Sequence, residues 1–125
     1  MKDRDIDKGA DIIAMLRELL PDLEVPSDPA EGVYCNAGDF AIWLRDGVVD
    51  KSLPEEKVDR AFAALNRIGS VDDDEIQNQL AVGVLEILID DPASVSAARQ
   101  KLEGRALELF ENMKELWHGP EAKNA

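Results

Sequence analysis

Apolar residues recur at Ile76, Leu80, Ala81, Val84, Leu85, Leu88 and Ile89, three or four positions apart. That spacing lines one face of an α-helix. Val82 and Ile87 widen the stripe, so the stretch 71–89 predicts a helix covered on most sides, at the centre of a small helical domain. Asp72, Asp73, Asp74 and Glu75 mark its start. Asp72 is expected to cap, with Glu75 reaching back from three residues on, and carboxylates in a first turn suit the positive end of the helix dipole.

The same period organises the rest of the chain. Residues 6–20 predict a first helix, with Ile12, Ile13, Leu16, Leu19 and Leu20 on one face and Pro21 as its stop. Residues 21–37 hold Pro21, Pro26, Pro29 and Gly32 without periodicity and predict a long loop, pinned by Leu23, Val25, Val33 and Tyr34. A second helix is expected over 39–49, started by Gly38 or Asp39 and facing inward with Phe40, Trp43, Leu44 and Val48. Ser52-Leu53-Pro54-Glu55 reads as a capping box with proline in the first turn. The third helix then runs to about Ile68, turning Val58, Ala61, Phe62, Leu65 and Ile68 inward. After Asp90-Asp91-Pro92 a short helix over 93–102 aligns Val95, Ala98 and Leu102. The last helix, over 105–117, aligns Leu107, Phe110, Met113, Leu116 and Trp117 before Gly119-Pro120 ends it. No period-two run and no hairpin turn signals a strand. The expectation is an all-α single domain over 1–125 with five or six helices, its tails 1–5 and 119–125 frayed.

Composition narrows the function classes. A chain of 125 residues, 45% hydrophobic and 33% charged, suits one soluble domain with one core. The net charge of −13 argues against nucleic acid and anionic membranes, which attract cations, and favours either a basic partner or plain solubility. Cys35 is the lone cysteine, so no internal disulfide forms. The charged first residues lack the apolar core of a signal peptide, and no apolar run reaches the ~18 residues a membrane span needs. A cytoplasmic protein is expected.

Catalytic and metal chemistry find little material. With one histidine, His118, and one cysteine, zinc lacks ligands. Asp72-Asp73-Asp74-Glu75 lacks the glycine and distal glutamate of a calcium loop, and a charged helix start is the simpler reading. His118 is the one side chain of its kind near which a nucleophile would have to sit, and the scattered glycines build no phosphate loop. The expectation is no catalytic residue, no metal and no cofactor, and replacing Cys35 by serine or His118 by alanine should leave function intact. Gln77 and Asn78, at the edge of the central apolar face, are read as structural hydrogen-bonders across the core boundary.

Charge is unevenly spread. Six acids and no lysine or arginine lie between Arg17 and Arg45, and seven acids and again no cation between Arg67 and Arg99. Were the long loop and the central helix to share a side, Glu24, Asp28, Glu31, Asp72, Asp73 and Asp74 would form one anionic surface for a basic partner. The bland reading is separately solvated patches.

The segment D-D-D-E-I-Q-N-Q-L-A-V-G-V-L-E-I-L, followed by K-L-E-G-R-A-L-E-L-F-E-N-M-K-E-L-W, resembles small acidic bacterial immunity proteins. Those proteins carry a D-E-E-V-Q-N helix and then a leucine-rich helix ending in Trp. Asp74, Glu75, Gln77, Asn78 and Trp117 match, and Ile76 stands for the Val. The resemblance runs from the third helix to Trp117, with Gly38-Asp39-Phe40 as a weaker match in the first half. It implies a non-enzymatic protein that binds and neutralises a cognate toxin by covering a basic active-site cleft. The third and fourth helices also look like one HEAT-type helical hairpin at the centre of the fold. The alternative is a small helical adaptor for an ordinary protein partner, and the weakest reading is an enzyme working with carboxylates alone.

Overall fold

The computed structural model describes the backbone of residues 11–25, 28 and 30–124, with side chains through residue 116 of that range. All regular structure among them is helical: α1 (Ile12–Leu19), α2 (Gly32–Val49), α3 (Glu55–Gly69), α4, α5 (Pro92–Lys101) and α6 (Gly104–Asn124). Helix α4 is continuous but changes pitch, from Asp74–Asn78 through a π-helical Gln79–Leu85 to Glu86–Leu88.

Helix α1 starts where Asp11 accepts a 2.9 Å hydrogen bond from the Ala14 amide, an N-cap of the ordinary kind. Ile12, Ile13, Leu16 and Leu20 are buried as their spacing predicts. Residues 6–10 of the expected helix, and the tail 1–5, lie outside the described residues.

The loop before α2 is shorter than its prolines suggest, because α2 begins at Gly32 instead of residue 39. Gly32 enters with φ +85, a left-handed turn that glycine makes without strain. Val33, Ala37, Phe40, Ala41 and Leu44 form the helical stripe, with Val33 half-buried and the others buried. Asn36 interrupted that stripe in the sequence. It is 4% exposed because its side-chain amide grips the peptide of residue 28 on both sides: it accepts from the Asp28 N–H (3.1 Å) and donates to the Asp28 carbonyl (2.9 Å).

The expected capping box of α3 does not form. Pro54 occupies the N-cap position without a side-chain bond, while the Ser52 and Leu53 amides donate back to the Gly47 carbonyl. Ser52 is used in closing the α2–α3 turn, where Lys51 takes the left-handed φ of 59. The α3 face is as expected: Val58, Ala61, Phe62, Leu65 and Ile68 are buried.

Two expectations for α4 are corrected. Asp73, one residue later than Asp72, is the cap, accepting from the Ile76 amide at 2.9 Å. Glu75 does not reach back; it accepts from the Tyr34 hydroxyl and from Gln79. Ile76, Leu80, Val84, Leu85 and Leu88 are buried as the spacing predicts, whereas Val82 is 42% exposed. In the π segment each turn takes in an extra residue. Six of its seven residues are buried, including the consecutive run Gln79, Leu80 and Ala81.

Helix α4 packs most extensively on α2. Their cross-contacts advance together along both helices: Tyr34 with Glu75 and Asn78, Ala37 beside Gly83, Gly38 beside Ile87, and Arg45 with Asp90. The two helices therefore run parallel, with their N-terminal ends side by side. Gly83 makes the approach possible, since a Cβ there would sit 2.8 Å from the Ala37 Cβ.

Helix α5 starts with Asp91 accepting from the Ala93 amide (2.8 Å) and Pro92 in the first turn. Helix α6 does not stop at Gly119-Pro120; its backbone continues to Asn124. Phe110 is buried and Met113 half-buried, but Leu116 is 75% exposed, against its expected inward position. At Leu116 the helix has left the core, and none of the described residues covers that side chain. The side chain of Trp117, also expected inward, lies outside the described side chains, as does that of His118.

Candidate functional site

The parallel pairing of α2 and α4 decides where the acids fall. The Tyr34 hydroxyl, in the first turn of α2, donates to Glu75 at 3.2 Å and accepts from the Asn78 amide at 2.7 Å. Glu31 lies three residues before Tyr34, and Asp72, Asp73 and Asp74 lead directly into Glu75. Asp28 is held to α2 by Asn36. Five of the six predicted partner-binding residues thus gather around the two helix starts. Glu24 stands apart, lining a groove of about 790 Å³ beside α1 with Arg17, Glu18 and Leu23.

All six are exposed. Asp73 is occupied as the α4 cap, and Asp28 accepts from the Ala30 amide at 2.9 Å. Glu31 occupies the N-cap position of α2 with no side-chain cap bond. Glu24, Asp72 and Asp74 make no side-chain hydrogen bond among the described residues. None of the six is ion-paired with a lysine or arginine among the described residues.

Other acids from the cation-poor stretches are neutralised by residues distant in the chain. Arg60 of α3 makes a two-pronged bond to Asp22 (2.6 and 2.8 Å), which holds the Asp22 carboxyl down at about 2. Arg45 reaches Asp90 at 3.2 Å, while also pairing with its chain neighbour Asp46 at 3.1 Å. Arg105 of α6 donates to Gln77 at 3.2 Å, so a cation also stands beside the acidic start of α4. The anionic surface is therefore narrower than the linear charge pattern suggests, and centred on the two helix starts.

Gln77 and Asn78 act structurally, as read from the sequence: Gln77 donates to the Val71 carbonyl at 3.0 Å, and Asn78 holds Tyr34. The most buried amide of this run, Gln79, was missed. It is 5% exposed, accepts from the Ile12 amide at 3.1 Å and donates to Glu75 at 3.1 Å, tying the first turn of α1 to α4.

Among the described residues no three histidine, cysteine or carboxylate side chains come together as a metal site requires. Cys35 is exposed, one residue after Tyr34. No helix among the described residues is long and apolar enough to cross a membrane. Comparison with protein-family models, with curated proteins and with solved structures gives no match.

Proposed function

We propose that this is a cytoplasmic, non-enzymatic immunity-type protein that captures a cognate toxin domain and covers its basic active-site cleft. The observation that supports it is the group Asp28, Glu31, Asp72, Asp73 and Asp74, exposed and free of a cation partner among the described residues. Carboxylates not already neutralised within the fold keep their charge for a partner, and complementary charge speeds encounter and rejects wrong partners. A HEAT-like pairing of α3 with α4 belongs to the same proposal, as the frame that carries the acidic helix start.

Co-expression with toxin domains whose active-site cleft is basic tests the reading. The protein should restore growth and bind the domain with a rate that falls as salt rises. Glu31→Gln with Asp72→Asn removes two charges that make no side-chain hydrogen bond among the described residues. This double variant should slow association by roughly tenfold at low salt, flatten the salt dependence and leave the melting temperature near its original value. Failure to restore growth, or an association rate indifferent to salt, would reject the toxin and leave the acids to solvation.

A further inference from the structure

Four of the five large hydrophobic residues that stand exposed among the described residues lie on the α2/α4 pair: Tyr34 (38%), Ile42 (40%), Val49 (39%) and Val82 (42%). Their spacing makes a stripe. Ile42 and Val49 are two turns apart on the outer face of α2, and Val82 lies one turn beyond Asn78, which holds Tyr34 from α4. Gly38, half-buried between them, leaves the seam shallow, with the Ile87 side chain 3.4 Å from where its Cβ would be. Tyr34 is fixed in place by Glu75 and Asn78, so its ring is ordered before any partner arrives. Buried interface centres are made of such aromatic and aliphatic groups, surrounded by a polar rim.

The rim is acidic on both sides. Glu31 and Asp39 flank the stripe on α2, and Asp74, Glu75 and Glu86 flank it on α4. Arg45 lies on this face too, and Asp46 and Asp90 hold it. From Tyr34 to Val49 the stripe runs for about 22 Å at the helical rise, the length of a helix of roughly four turns.

We infer that the outer seam of α2 and α4 seats a basic amphipathic helix of the partner, its apolar stripe on Tyr34, Ile42, Val49 and Val82 and its lysines or arginines against the flanking acids. Two parallel helices with a shallow seam accept a third helix laid along them, the helix-in-groove mode of recognition. The inference takes the basic chemistry of the partner from the proposed function and adds where its apolar part sits. A second copy of this chain is the poorer occupant, because it would bring acid rim against acid rim.

The probe is a synthetic 15-residue helix with leucine at every third or fourth position and lysine elsewhere, beside a scrambled peptide of the same composition. Each is titrated into the full chain labelled with nitrogen-15. The amphipathic peptide should bind saturably, move amide signals over 34–49 and 78–86, and bind at least tenfold tighter than its scramble. Ile42→Ser with Val82→Ser, each partly exposed and so compatible with the fold, should remove that tenfold advantage while the chain still melts cooperatively, only a few degrees lower. Equal binding of the two peptides, signal changes elsewhere, or an unaffected double variant overturns the inference. So does a concentration-dependent dimer of the free chain in sedimentation. Growth rescue by the wild type that Ile42→Ser/Val82→Ser leaves intact would remove the seat and spare the immunity reading. Peptide binding mapped to the seam in a chain that rescues nothing would do the reverse.

Discussion

Gly83 and Leu85 represent two ways a single residue holds the centre of this protein together. Leu85 is fully buried, and Leu85→Ala should cost about 2–5 kcal/mol in a denaturation experiment, the range for a deleted core side chain. Gly83→Ala adds only a methyl group, yet that methyl would meet the Ala37 Cβ at 2.8 Å and force α2 away from α4. The expected loss is about 1–3 kcal/mol, and a smaller loss in Gly83→Ala made together with Ala37→Gly would show that the close approach is the cause. The buried apolar positions of α4 were legible because their spacing is that of a helix. Gln79 was not: it is a polar residue at the edge of the stripe, and it is covered because the first turn of α1 packs on it, with the Ile12 amide donating to its side chain. The run Gln77-Asn78-Gln79 was the available signal, because amides in the middle of an apolar helix need partners when buried.

Between elements, the ties are ion pairs and caps whose strength depends on pH. Asp22, on the turn after α1, is bound by Arg60 of α3, and its carboxyl titrates at about 2. A carboxyl with a lowered folded value contributes stability above its unfolded value, near 4, and loses it as pH falls toward 2. An NMR titration should find Asp22 still ionised at pH 3, and Asp22→Asn should abolish that late step. Lys101 of α5 has the opposite sign. Its pKa is raised by the hydrogen bonds it donates to Asp59 and then to Glu55 of α3, both at 2.5 Å. Its contribution is therefore complete below the unfolded lysine value and is lost as pH rises through the raised one, so Lys101→Met should shrink the difference in melting temperature between pH 9 and pH 11.5. Helix existence was readable from apolar spacing; several helix starts were not. Ser52-Leu53-Pro54-Glu55 has the composition of a capping box, but the tight turn at Lys51 commits the Ser52 amide to Gly47. The start of α2 was hidden by Asn36 and Gly38, a polar and a flexible residue inside its apolar stripe.

For the whole molecule, the net charge of −13 was plain in the composition, but its distribution in space depends on which helices lie parallel. Nothing in the sequence pairs Tyr34 with Asn78, so the gathering of two acidic helix starts was conditional until α2 and α4 were placed together. Cations absent from a stretch of chain return across space at Arg45, Arg60 and Arg105. The grip of Asn36 described above, which Asn66 repeats between α3 and the linker after α5, has a further consequence for how such a surface changes over generations. Asn36 grips the peptide of residue 28, and Asn66 donates to the Lys101 carbonyl and accepts from the Glu103 amide, so both read main chain and ignore side chains. These anchors therefore place no requirement of their own on the side chains of the linkers they hold. A library randomised at Glu24, Ala30 and Glu31 should stay folded in most of its members while its preference among binding partners drifts. The same library made on Asn36→Ala, which strands the residue 28 peptide at about 1–3 kcal/mol, should lose a large share of its members to proteolysis.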